Sequence, residues 1–248
     1  MRPLPRLALA ALTWLAACGS PGTRAPGPLV VLIGDSTTAG YGGAGGYVDG
    51  PVAPLSVLTA LLPETSRWRH ATFLNLGVPS STTREWALAT TPCPSPPALG
   101  PDVPAWTRLA VLACRTGAPL VDHVATIAGR PIDTALVVLG TNDAYRDSAA
   151  KPAEAIANLR RIAAALAPAR VLIASPFRAT HPARAAFVES MATLLAADHL
   201  LTGPDFARIA LPLDASGVHL TYGGFVAASG LWLEALLAPP RGPASPAS

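Results

Sequence analysis

A chain of 248 residues, half of them hydrophobic, is long enough for one domain with ample core and requires no second one. The formal net charge of +3 becomes nearly neutral once Arg2 and Arg6 are set aside with the leader they belong to. The remaining arginines are scattered and no basic run alternates with aromatics, which excludes nucleic acid as the expected partner.

The first element is a leader. Arg2 and Arg6 precede an apolar stretch from Leu7 to Ala17 that is too short to span a bilayer, and residues 1–17 are read as a signal peptide. Its end, Leu15-Ala16-Ala17-Cys18, is similar to the lipobox of bacterial lipoproteins, in which the cysteine is lipidated and becomes the first mature residue. The expectation is an exported chain anchored to the cell envelope through Cys18, several acyl chains being needed for stable anchoring; an ordinary secretory signal with an incidental cysteine is the alternative. Residues 18–28, rich in Gly, Pro, Ser and Thr, read as a flexible tether; residues 29–238 form the folded domain, and 239–248 a disordered tail.

Leu29-Val30-Val31-Leu32-Ile33 is an apolar, β-branched run of strand length, consistent with a sheet covered on both faces. It stops at Gly34-Asp35-Ser36-Thr37-Thr38-Ala39-Gly40, which puts Ser36 at the carboxyl edge of a sheet, where open α/β folds bind ligands. The glycine-rich segment Gly40 to Tyr47 lacks a following Gly-Lys-Ser/Thr and is no phosphate cradle; it reads as a flexible rim beside Ser36 or a plain surface loop. A helix is expected over Val52–Leu62 and a short strand over Thr72–Leu76, leading into Asn75-Leu76-Gly77-Val78-Pro79-Ser80-Ser81-Thr82-Thr83.

Thr91 to Pro104 is too rich in proline for regular structure and reads as an insertion. Cys93 and Cys114, in an exported chain, form a candidate disulfide; two free thiols are the alternative, and neither sits in a metal-binding spacing. Helical periodicity covers Ala105–Cys114 and Pro119–Ala128, and a second buried strand, Thr134–Leu139, ends in Gly140-Thr141-Asn142-Asp143. A helix over Pro152–Leu166, a strand over Arg170–Ala174, a helix over Pro182–Asp198 and a weaker strand over Ala207–Leu211 follow. The chain closes with Gly217-Val218-His219-Leu220-Thr221 and a helix over Tyr222–Leu237. Strands alternating with helices imply right-handed crossovers, a parallel sheet and an α/β three-layer α/β/α sandwich.

Ser36, Asn142 and His219 supply a nucleophile, an oxyanion donor and a proton shuttle, the parts needed for acyl transfer. With these blocks in order from Leu29 to Leu237, the chain resembles the SGNH hydrolases of the GDSL lipase/esterase superfamily. The resemblance implies a flavodoxin-like central sheet, a serine esterase working through a Ser36 acyl-enzyme, and no cofactor or metal. It also implies an oxyanion hole made by the Ser36 amide, the Ser80 amide and the Asn142 side chain. Asp35 and Asp143 are assigned to holding their loops rather than to proton transfer.

Two positions depart from the family pattern. The family glycine in the second block falls at Ser80, where a positive φ would be strained. The family acid three residues before the histidine falls at Ser216, leaving Asp214, a backbone carbonyl or Ser216 itself to orient His219, with Asp214 favoured. The substrate is expected to be a small-molecule or glycan ester. The alternatives are an O-acyltransferase or deacetylase acting on envelope or extracellular glycans, and a catalytically degenerate binding module favoured by Ser80 and Ser216. Oligomeric state leaves no trace in the sequence.

Overall fold

The computed structural model describes residues 27–42, 46–47, 62, 66–96, 98–100, 103–146, 150–178, 180 and 182–239. The signal peptide with Cys18, most of the tether, the helix expected over Val52–Leu62 apart from Leu62 itself, and the tail from 240 lie outside the described residues.

Four strands form a parallel sheet: β1 (Leu29–Gly34), β4 (Thr72–Asn75), β5 (Thr134–Val138) and β6 (Arg170–Ala174), in the order β4-β1-β5-β6. The register pairs Leu29 with Thr72 on one side of β1, and Val30 with Thr134 on the other. Two short strands, β2 (Tyr41–Gly42) and β3 (Gly46–Tyr47), make a separate antiparallel pair in the glycine-rich segment. Among the described residues the helices are α1 (Ser36–Ala39), α2 (Thr83–Ala87), α3 (Ala105–Thr116), α4 (Val124–Ala128), α5 (Asp143–Arg146), α6 (Pro152–Ala165), α7 (Pro182–Ala197) and α8 (Tyr222–Leu237).

The period-2 alternation of the strands sends side chains into two cores. Val31, Ile33, Val137 and Ile173 face a layer carrying Trp86 of α2, Leu109 of α3, Leu159 of α6 and Met191 of α7. Val30, Leu32, Leu136 and Leu172 face Phe206, Phe225 and Trp232, the last two on α8. The result is the expected three-layer sandwich, its strand order matching the doubly wound, flavodoxin-like sequence of neighbours.

One expected strand is absent. Residues 207–211 form no strand; a 3-10 turn spans Phe206–Arg208. Pro204 and Pro212 bracket the segment, and the Ala207 amide is taken by the Ser175 hydroxyl at 2.9 Å, so a donor that a ladder would use goes to a side chain. The Pro119–Ala128 helix is likewise two pieces, a 3-10 turn at Leu120–His123 followed by α4.

Cys93 and Cys114 are joined by a disulfide, and the Cys93 amide donates to the Cys114 carbonyl at 2.7 Å. This pins the irregular insertion to the end of α3. Closing a loop of 21 residues contributes about 3 kcal/mol on the chain-entropy model. Replacing both cysteines by serine is therefore expected to lower unfolding stability by about that amount, read from urea melts.

Candidate active site

The topological switch of the sheet lies between β1 and β5, and the loops leaving these two strands carry Ser36 and Asn142. At the end of β1, Gly34 has no room for a side chain, since a Cβ would overlap Thr38 Oγ1. That close approach lets α1 turn directly off the strand. Asp35 caps α1, its carboxylate accepting from the Thr37 amide at 3.0 Å, and Ser36 is the first helical residue.

His219 reaches Ser36 from the loop before α8. Its Nε2 lies 3.1 Å from Ser36 Oγ, a hydrogen-bond distance. The loop is closed by the bridge between Leu213 and Leu220 and by the Asp214 amide donating to the His219 carbonyl at 2.9 Å. On the other side of the ring, Nδ1 is 3.4 Å from Ser216 Oγ and 3.8 Å from Asp214 Oδ2. The Ser216 hydroxyl donates to Asp214 Oδ1, while Asp214 Oδ2 is buried with no hydrogen-bond partner. Burial holds the His219 pKa below the usual imidazole value, the nearby Asp214 charge partly opposing it, so the ring is neutral and can accept a proton near pH 7.

The second block is a type II turn. The Ser81 amide donates to the Val78 carbonyl at 3.1 Å, Pro79 occupies the second position, and Ser80 has φ of 61° in the third. The left-handed region suits glycine, and serine there costs on the order of 1–2 kcal/mol. The strain is held by bonds to Ser81: its hydroxyl donates to the Gly34 carbonyl at 3.3 Å and accepts from Trp86 Nε1 at 2.9 Å. Asn142 Nδ2 donates to the Ser81 carbonyl at 3.1 Å, which ties the third block to the second and leaves the other amide proton available. Asn75 joins the second block to the first, donating to the Thr38 carbonyl at 2.7 Å and accepting from the Gly77 amide at 2.9 Å.

Asp35 and Asp143 are structural in geometry. Asp143 accepts from the Thr83 amide at 3.0 Å and from the Thr83 hydroxyl, which also accepts from Asn158 Nδ2 at 3.2 Å. Burial raises both pKa values, that of Asp35 from 3.8 to about 7, with the Asp143 charge adding to it. Because the folded state binds the Asp35 proton more tightly, its contribution to stability is complete below about pH 4 and is lost as pH rises through about 7. Thermal melts are expected to fall over that window, and Asp35→Asn, which keeps the cap, is expected to flatten the fall.

Sequence reading did not find α2, although Thr82-x-x-Glu85 is a capping-box signature: Glu85 accepts from the Thr82 amide at 2.9 Å. It also missed Thr83 and Asn158, whose partners are 60 and 75 residues away in sequence or more closely related by the fold than by any pattern.

No protein-family model matches the chain, and no curated protein matches it. Solved structures share its fold at low sequence identity. A carbohydrate acetylesterase family member from Sinorhizobium meliloti is 20% identical with a TM-score of 0.55, covering 84% of this chain and 97% of its own. The native aryl esterase of M. smegmatis is 18% identical with a TM-score of 0.53, covering 84% and 98%. A lipase/acylhydrolase from Enterococcus faecalis is 20% identical with a TM-score of 0.53, covering 84% and 94%.

Proposed function

We propose that the protein is a serine esterase that hydrolyses carboxylic esters through an acyl-enzyme on Ser36. The observation that carries this reading is the 3.1 Å contact between Ser36 Oγ and His219 Nε2 at the switch point of the sheet. Ser36 Oγ attacks the ester carbonyl carbon as its proton passes to His219 Nε2. The oxyanion is received by the Ser36 amide, the Ser80 amide and Asn142 Nδ2. Collapse of the tetrahedral intermediate breaks the ester bond, and the imidazolium protonates the departing alcohol. Water then attacks the acyl-enzyme, gives its proton to His219, and the carboxylic acid leaves with Ser36 restored. Asp214, directly and through Ser216, stabilises the imidazolium in both half-reactions.

The degenerate binding-module alternative requires His219 to stand away from Ser36 with nothing to accept from its other nitrogen; the contact on Nε2 and the two on Nδ1 count against it. A glycan or aryl ester as substrate is favoured by one exposed ring. Tyr222 is 62% exposed and follows His219 by three positions, whereas the Tyr145 ring already carries the Arg184 guanidinium 3.1 Å from its centroid. An exposed aromatic ring suits the apolar face of a sugar or an aryl group. The neighbours named as acetylesterase and aryl esterase point the same way. Transfer to a sugar hydroxyl instead of water would use the same acyl-enzyme.

We also propose export and lipid anchoring through Cys18, supported by the leader sequence alone. Fatty-acid labelling of the expressed chain is expected to be lost in Cys18→Ser. The esterase reading is tested by hydrolysis of p-nitrophenyl esters of graded chain length and of acetylated sugars. Turnover abolished by Ser36→Ala supports it, and no turnover of any ester by folded protein contradicts it.

A further inference from the structure

Arg146 takes no part in the steps above, yet it touches the turn that supplies an oxyanion donor. It closes α5, one turn beyond Asn142, and its Nη1 donates to the Ser80 carbonyl at 3.1 Å and to Glu85 Oε1 at 2.6 Å. Glu85 is itself fixed, since its Oε2 accepts from the Thr82 amide at 2.9 Å and the Thr82 hydroxyl at 3.1 Å. Arg146 is thus held by the capping box of α2 and aimed at Ser80.

The position of that contact matters because of backbone geometry. The Ser80 amide belongs to the Pro79–Ser80 peptide and the Ser80 carbonyl to the Ser80–Ser81 peptide, so φ and ψ of Ser80 set the angle between them. The Ser80–Ser81 peptide is held at both ends, its N–H by the Val78 carbonyl and its carbonyl by Arg146. A serine released from the left-handed region relaxes toward right-handed or extended backbone, and that rotation turns the Ser80 amide away. A glycine at the same place would stay without a clamp.

We propose that Arg146 is a positioning residue that holds Ser80 in its left-handed conformation and so keeps the Ser80 amide on the oxyanion, compensating for the missing glycine. This rests on the esterase reading. The contact is not a stability device: the Arg146 and Glu85 side chains are 50% and 32% exposed, and ion pairs of that kind add little to folding. The variant Arg146→Gln should therefore fold.

The test combines kinetics and hydrogen exchange on four proteins: wild type, Arg146→Gln, Ser80→Gly and the double variant. Arg146→Gln is expected to lower kcat by about 10- to 100-fold with KM within about twofold, the size expected when an oxyanion donor is displaced rather than deleted. In the Ser80→Gly background the same change is expected to cost less than about threefold, because glycine needs no clamp. Exchange of the Ser81 amide, which closes the turn, is expected to quicken by about tenfold or more in Arg146→Gln without a matching fall in melting temperature. The exchange arm reads the turn whether or not wild type turns over an ester, so failure of the esterase reading and failure of the clamp are distinguishable. Ser81 exchange within twofold of wild type, or equal kcat losses in the serine and glycine backgrounds, would overturn the proposal.

Discussion

His219→Ala is expected to lower kcat by about 10⁶-fold with little change in KM, the loss seen when a nucleophile is deprived of its base. A serine hydroxyl is a weak nucleophile near neutral pH, and Nε2 at 3.1 Å is the group placed to take its proton. The same residue sets the pH profile. With burial holding the imidazole below its ordinary 6.5, kcat/KM is expected to rise with pH along a limb whose midpoint lies below that value, as the ring loses its proton and becomes a base. A midpoint above 6.5, or His219→Ala within tenfold of wild type, would remove His219 from the mechanism.

The second large effect is expected at Asp214. Asp214→Ala is expected to lower kcat by about 10³- to 10⁴-fold, and Ser216→Ala by about tenfold or less. The asymmetry follows from charge. Asp214 supplies a carboxylate 3.8 Å from Nδ1, and its Oδ2 has no hydrogen-bond partner. Ser216 at 3.4 Å is an intermediary whose hydroxyl proton is already directed at Asp214 Oδ1. Deleting Ser216 leaves the charge in place; deleting Asp214 leaves an imidazolium to form without it. Asp214→Asn is further expected to move the pH limb lower, since the Asp214 charge raises the His219 pKa against the effect of burial. Steady-state kinetics on the three variants decide the matter, and equal, small losses at both positions would contradict the assignment.

Much of the framework was legible because it is local. Leu29–Ile33 and Thr134–Leu139 are continuous apolar runs that end in Gly-Asp-Ser and Gly-Thr-Asn-Asp, so strand, strand end and polar group lie within ten residues of one another. The helices expected over Pro152–Leu166 and Tyr222–Leu237 are found at Pro152–Ala165 and Tyr222–Leu237. The strain at Ser80 was legible only through the family resemblance, which places a glycine at that position.

What sequence did not disclose depends on distant pairing. The segment 207–211 has strand-like composition, but Ser175, 32 residues earlier, takes the Ala207 amide. No local pattern announces that. Arg146 looks like one arginine among many until Ser80, 66 residues earlier, is placed beneath it. Nor could spacing choose between Asp214 and Ser216 as the partner of His219. Both side chains come near Nδ1 because the bridge between Leu213 and Leu220 folds back the six residues between them.

The central claim is that Ser36 is an activated nucleophile. The most direct measurement is the intact mass of the purified protein after incubation with a fluorophosphonate, beside Ser36→Ala treated in the same way. A single adduct on wild type, absent from Ser36→Ala and abolished by His219→Ala, is the predicted result. Folded wild type that gains no mass, or an adduct that persists in Ser36→Ala, would contradict it.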